Sequence, residues 1–114
     1  MEISRLDKLL EFIKNEPNDE FLKYALATEY LRLNQVDKAL EYYEDLVNNH
    51  PQYSGTYYHL GKLYEALNRK DDAVKTYEKG MEITKAKRDN HAFSELQAVY
   101  RAAAGIDEDD DEDY

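Results

Sequence analysis

The chain has no cysteine and no tryptophan, and only two of its 114 residues are proline. Without cysteine it can form no disulfide and use no thiol chemistry. Its four glycines are scattered, so the sequence has no glycine-rich loop of the kind that binds phosphate. No run approaches the roughly 18 uninterrupted apolar residues of a membrane span, and the first residues lack the basic start and long apolar stretch of a secretory signal. We therefore expect a soluble, cytoplasmic protein.

Acidic residues are concentrated at the end of the chain. Residues 107–113 are all Asp or Glu and account for seven units of the net charge of −10, so residues 1–106 carry the remaining −3. This body lacks the cluster of Lys and Arg that nucleic acid or anionic lipid requires, and we predict neither nucleic acid nor membrane as a partner. The acidic tail, 106–114, is predicted to be disordered because it has nothing to bury.

The body of the chain repeats itself with a period of 34 residues. Matching residue types recur at this interval in five pairs: Pro17 and Pro51, Leu26 and Leu60, Tyr30 and Tyr64, Ala39 and Ala73, Tyr43 and Tyr77. Such agreement at one period indicates a repeated structural unit, and this length is typical of units built from two helices.

Apolar residues at helical spacing predict six helices. We place them at about 4–15, 19–33, 36–49, 53–67, 70–86 and 91–104. Ser4 is a start signal for the first helix, and Gly105 stops the last. Asn34 and Asn68 are expected to end the second and fourth helices, because Asn tolerates the left-handed conformation found there.

The same spacing predicts which side chains form the core. The apolar stripe of the second helix consists of Leu22, Leu26, Tyr30 and Leu33. Five tyrosines at stripe positions are expected to be buried: Tyr30, Tyr43, Tyr64, Tyr77 and Tyr100.

The second unit reads Tyr57-x2-Leu60-Gly61-x2-Tyr64, followed by Ala73 and Tyr77. This pattern resembles the tetratricopeptide repeat family, in which an aromatic, Leu-Gly and Tyr are followed by Ala and a second aromatic. The first unit matches less completely, because Lys23 stands where a large aromatic is usual. Gly61 lies inside a helix, where close approach of a neighbour would justify its cost, and we expect Ala73 to be the small partner.

The resemblance implies an all-α fold, a right-handed α-solenoid of antiparallel helix pairs. Residues 1–105 are expected to form one helical repeat domain. It would contain two full repeats at about 20–53 and 54–87, flanked by a half repeat at each end.

The resemblance also implies a function, because in this family the first helix of each pair lines a concave groove that holds a peptide or a partner helix. We therefore predict a non-enzymatic adaptor or scaffold that binds another protein. The implied groove residues are Tyr24, Thr28, Leu31, Arg32, Tyr58, Lys62, Glu65 and Arg101, with Ser94 and Ala98 beside the last. Some family members grip an acidic chaperone C-terminus with Lys and Asn side chains. That set is not reproduced here, and such binding is not expected.

The sequence also bears on self-association, on catalysis and on the role of the acidic tail. Self-association through the terminal helices is the alternative, because their outward faces retain Phe12, Ile13 and Val99, and a monomer or weak homodimer is expected. An enzyme is disfavoured, since the histidines are dispersed and make no metal-binding or base–nucleophile spacing. We predict no catalytic residue, no metal and no cofactor. The acidic tail is expected to be solubilising, with a role as a ligand or as an occupant of the groove left open.

Overall fold

The computed structural model describes residues 4–106, and within that range it contains six α-helices and no strand. The helices are α1 (Arg5–Asn15), α2 (Glu20–Arg32), α3 (Val36–Asn49), α4 (Gly55–Ala66), α5 (Lys70–Ala86) and α6 (Asn90–Ala104). The predicted all-α fold is confirmed, and every predicted helix boundary falls within two residues of the observed one. The acidic run from Asp107 onward, predicted to be disordered, lies outside the described residues.

Side chains cap the starts of three helices. The Ser4 hydroxyl accepts the backbone N–H of Asp7 at 3.1 Å, as the sequence predicts for α1. Asp19 accepts the N–H of Leu22 at the start of α2, at 2.9 Å. Asp89 performs the same role for α6, where it accepts the N–H of Ala92 at 3.1 Å. Each cap supplies an acceptor to an amide that has no partner within the first turn of its helix.

Three helices end in the same left-handed turn. Asn34 after α2 and Asn68 after α4 have φ values of 64° and 61°, as predicted. Arg88 after α5 has φ 60°, which the sequence did not predict because Arg has no special tolerance for this conformation. In all three turns the next backbone N–H donates to the carbonyl five residues earlier, at 2.8–2.9 Å. This bond satisfies a carbonyl that the helix leaves open.

The helices form two compact units, the first ending at Tyr53 and the second beginning at Ser54. In the first unit α2 packs against both α1 and α3. Its apolar core consists of Leu9, Ala25, Leu26, Ala27, Tyr30, Ala39, Tyr43 and Leu46. Leu33 was predicted to lie on the buried stripe, but it follows the end of α2 as its C-cap and is exposed.

In the second unit α5 packs against both α4 and α6. Its apolar core consists of Tyr57, Leu60, Leu63, Tyr64, Ala73, Tyr77, Ile83, Leu96 and Ala103. Four of the five predicted core tyrosines are buried, whereas Tyr100 is only half-buried and its hydroxyl donates to Glu78 at 3.3 Å.

Gly61 explains how closely α4 and α5 approach each other. A Cβ atom at this position would lie 2.1 Å from a ring carbon of Tyr77. The neighbour that requires glycine is therefore the aromatic ring of α5 rather than Ala73, the small partner expected from the sequence. The helices approach closely because the ring of Tyr77 occupies the space that a side chain at Gly61 would fill.

Candidate partner-binding surface

Tyr24 and Thr28 lie one turn apart on α2, as the groove prediction requires. Thr28 is exposed, and its hydroxyl donates to the Tyr24 carbonyl at 3.0 Å. The half-buried Tyr24 ring has its centroid 6.3 Å from that of Tyr43 and 5.6 Å from that of Tyr53. Burial raises the pKa of the Tyr24 phenol, and the contact with Thr28 opposes this shift. The ring is thus partly committed to packing inside the first unit.

Arg32 is exposed at the end of α2, next to the half-buried Leu31, and it is held by a carboxylate that the sequence analysis missed. Its Nε donates to Glu29 Oε1 at 3.1 Å and its Nη2 to Oε2 at 2.5 Å. Arg5 of α1 approaches the same Oε1 at 3.4 Å. The Glu29 side chain is only 4% exposed, and the hydrogen bond from Arg32 lowers its pKa although burial would raise it.

A helical stripe would have revealed Glu29 before the structure was known. Leu22, Ala25 and Glu29 follow one another at spacings of three and four residues along α2. Their face is the second packing face of the helix, because α2 contacts α1 as well as α3. Only one apolar stripe of this helix was predicted from the sequence, and Glu29 was given no role.

Lys23 is a second buried charge that the sequence analysis did not interpret. The residue is 6% exposed, and its Nζ lies 2.9 Å from Asp45 Oδ2 and 3.4 Å from His50 Nε2. His50 Nδ1 in turn lies 3.5 Å from a carboxylate oxygen of Glu20. The available signal was the departure from the repeat pattern, since a cation at an aromatic core position needs a buried partner.

The predicted residues of α4 form a surface in the second unit. Tyr58 is half-buried with its ring against His59, at a centroid distance of 5.6 Å. Lys62 is exposed one turn later, with its Nζ 3.9 Å from Glu65 Oε2. The Tyr77 hydroxyl donates to that same oxygen at 2.5 Å. Burial raises the pKa of Tyr77, and the carboxylate of Glu65 raises it further.

A shallow depression of about 350 Å³ lies in the second unit beside Glu65. Its lining consists of Glu65, Asn68, Lys70, Ala102 and Ala103. Arg101 of α6 is half-buried and is not part of this lining, while Ser94 and Ala98 on the same helix are exposed. The structure therefore brings the predicted Lys62 and Glu65 together, and Arg101 does not line the depression.

Residues 4–106 also bear on two other kinds of site. No set of three or more His, Asp or Glu side chains in this part of the chain is arranged to hold a metal ion. Among the helices of the same residues, none has both the length and the apolar character needed to cross a bilayer.

Comparison with known proteins assigns the fold to a family. A model described as "Tetratricopeptide repeat" matches residues 24–85. A tetratricopeptide repeat domain protein from Salinibacter ruber, solved by NMR, is 47% identical over 79% of this chain and 91% of that chain, with a TM-score of 0.75. A crystal structure of such a domain from the same organism is 46% identical over 77% and 99%, with a TM-score of 0.74. The chain belongs to the tetratricopeptide repeat family.

A more distant relative shares the fold alone. This protein from Bordetella parapertussis is 23% identical over 93% of this chain and 92% of that chain, with a TM-score of 0.77. Among curated proteins no match was found.

Proposed function

We propose that the chain is a non-enzymatic adaptor or scaffold that binds a peptide or a partner helix through exposed and half-buried residues of α2, α4 and α6. Tetratricopeptide repeats are in general protein-interaction modules, and membership in that family supports the proposal. The proposed binding residues are those named from the sequence: Tyr24, Thr28, Leu31, Arg32, Tyr58, Lys62, Glu65 and Arg101.

The surface of α4 carries the proposal. Tyr57, Leu60 and Gly61 bury the opposite side of this helix in the core of the second unit. Tyr58 and Lys62, one turn apart, keep an aromatic ring and an ammonium group in contact with solvent. An aromatic ring offers a large contact area at low entropic cost, and the ammonium can receive a carboxylate from a partner.

The proposed binding residues of α2 are less available to a partner than those of α4, because they already contact other residues of the first unit. Tyr24 already packs against two other rings, so a partner would meet only its outer edge. Arg32 is exposed, but one edge of its guanidinium group, formed by Nε and Nη2, already donates to Glu29. We therefore assign the main energetic role in binding to α4.

A capture experiment tests the assignment. The immobilised full chain and a Tyr58→Ala, Lys62→Ala variant are exposed to extract of the native host, and captured proteins are quantified by mass spectrometry. The matched control is Lys38→Ala with Tyr42→Ala, because these residues have the same types and spacing on α3. We expect the control to retain the partners and the α4 variant to lose them. Equal capture by both variants would contradict the α4 surface.

A further inference from the structure

We infer that one edge of the α1–α2 pair is a self-association surface, on which a second copy of this chain packs with two-fold symmetry. Among residues 4–106, the two most exposed large apolar side chains are Phe12 of α1 at 57% and Phe21 of α2 at 63%. Together the two residues expose more surface area than a single fully exposed phenylalanine would. An aromatic patch of this kind on a small protein commonly marks an interface.

Both rings lie on the same edge of the helix pair. Phe12 follows Arg5 by seven residues, and Phe21 precedes Arg32 by eleven, so each ring lies within about 20° of the arginine on its own helix. Both arginines contact the carboxylate of Glu29. The two stripes therefore run side by side along one edge.

The two rings are also at the same height along that edge. The start of α1 meets the end of α2 through Arg5 and Glu29, so the helices are antiparallel. At 1.5 Å per residue, Phe12 lies about 10 Å along α1 from Arg5, and Phe21 lies about 12 Å back along α2 from Glu29. Both displacements point the same way, which places the rings side by side in one patch.

The repeat pattern explains why Phe12 is uncovered. Leu46 stands 34 residues later, at the corresponding position of α3, and is completely buried. α3 has α2 before it to pack against, whereas no helix precedes α1 among residues 4–106. Phe12 thus retains the apolar character of a core position that in the described residues has no covering helix.

Charges around the patch indicate that the occupant is a second copy. Lys8 and Phe12 lie four residues apart on one stripe of α1, Glu16 follows four residues later as the C-cap of that helix, and all three are exposed. Measured along the helix axis, the Cα atoms of Lys8 and Glu16 lie about 6 Å to either side of the Cα atom of Phe12. A two-fold axis through Phe12 would therefore place Lys8 of each copy opposite Glu16 of the other, as an isologous interface requires.

The charged residues farther along this edge show the same arrangement, with acidic residues at one end and basic residues at the other. At the acidic end of the edge, Glu16 is followed by Asp19 in the connection between the helices and by Glu20, the first residue of α2. At the basic end, Arg5 and Arg32 share a single carboxylate, which leaves an excess of positive charge. An edge that is basic at one end, aromatic in the middle and acidic at the other is complementary to itself when turned by 180°. An unrelated partner would have no need of this symmetry.

This inference can be tested separately from the proposed function, because neither phenylalanine belongs to the α4 surface and the two proposals share only Arg32. The test is sedimentation equilibrium of the full chain over a wide concentration range. We expect a concentration-dependent dimer for the wild type. Phe12→Ser with Phe21→Ser should raise the dissociation constant at least about tenfold, since each change removes its contact twice in a symmetric dimer. The matched control, Leu33→Ser with Leu67→Ser, changes exposed apolar residues elsewhere and should leave the dissociation constant unchanged.

A charge exchange distinguishes the two-fold arrangement from nonspecific stickiness. Lys8→Glu and Glu16→Lys should each weaken the dimer, because each places like charges opposite one another. The double variant should restore it. Circular dichroism and thermal melting confirm that every variant remains folded. A monomeric wild type at all concentrations, undiminished association of the phenylalanine variant, or lack of rescue by the charge exchange would each overturn the inference.

Discussion

Lys23 Nζ lies 2.9 Å from Asp45 Oδ2, at a position where the second unit has the buried ring of Tyr57. The residue at the corresponding place on the opposing helix also differs between the two units. In the second unit, a Cβ atom added at Gly80 would lie 2.5 Å from the Cβ of Tyr57. The large side chain of Tyr57 therefore packs against a position that has no side chain. In the first unit the residue equivalent to Gly80 is Leu46, which is fully buried. The first unit thus combines the narrow side chain of Lys23 with a large aliphatic residue, whereas the second unit combines a large ring with glycine.

The pair Lys23–Asp45 is electrostatically favourable in the folded chain. Burial would raise the pKa of the Asp45 carboxyl, but hydrogen bonds from Lys23 and Asn49 outweigh it and hold that pKa below its usual value. A carboxyl with a lowered pKa contributes stability above its unfolded pKa and loses it as the pH falls through the folded one. The contribution of Asp45 should therefore be complete at neutral pH and disappear in acid.

Removing the two partners separately should give unequal losses of stability. Asp45→Asn leaves the buried ammonium of Lys23 without its anion, and we expect a loss of about 2 kcal/mol, below the full cost of breaking a buried pair because Asp45 is partly exposed. Lys23→Met leaves only a carboxylate that water can reach, so its loss should be about 1 kcal/mol or less. Urea unfolding at neutral pH measures both values. Equal losses would mean that Lys23 does not depend on Asp45.

The glycines of α4 provide a matched pair of substitutions. Gly61→Ala would force a methyl group into the ring of Tyr77, and we expect a loss of about 1–3 kcal/mol from overpacking. Gly55→Ala, at the first residue of the same helix, meets nothing within 4 Å and should stabilise the protein by about 0.5 kcal/mol. Unfolding curves of the two variants against wild type measure the difference. A harmless Gly61→Ala would show that α4 and α5 can separate without cost.

Alkaline pH should destabilise the protein through Tyr77. Its pKa in the folded state is raised, so the stability it contributes is complete below the unfolded pKa of about 10 and is lost as the pH rises above that value. Absorbance at the tyrosinate band should show a class of tyrosines that ionises only as the chain unfolds. Tyr77→Phe should make the fall in unfolding free energy above pH 10 shallower. Identical alkaline slopes for the variant and the wild type would contradict this assignment.

The helices and their turns were predictable because they depend on local patterns. The 34-residue period located both helix pairs, and Asn34 and Asn68 marked two of the left-handed turns, as the structure confirms. Arg88 was not predicted, because its conformation follows from the helix ends on either side rather than from its own chemistry. The same applies to Leu33, whose place on the stripe was lost when α2 ended one residue earlier.

The polar interactions were not predictable, because they join residues that no periodic pattern relates. Lys23 and Asp45 are 22 residues apart, and Arg5 and Glu29 are 24 apart, so each pair depends on how the helices pack. The two candidate surfaces differ in the same way, because one was predictable from the repeats and the other was not. Repetition pointed to Tyr58 and Lys62, whereas the pairing of Phe12 with Phe21 required knowledge of which edges α1 and α2 share.

The three left-handed turns have a consequence for how such a chain can grow. Asn34, Asn68 and Arg88 adopt nearly the same conformation although one of them is not Asn. The connections after α2, α4 and α5 therefore share one turn that tolerates different residues, whereas α1 and α3 end at Glu16 and His50 with φ near −135°. Duplicating one unit within the gene would add a further hairpin with its connection already in place, so arrays of this kind can be lengthened without inventing a new loop.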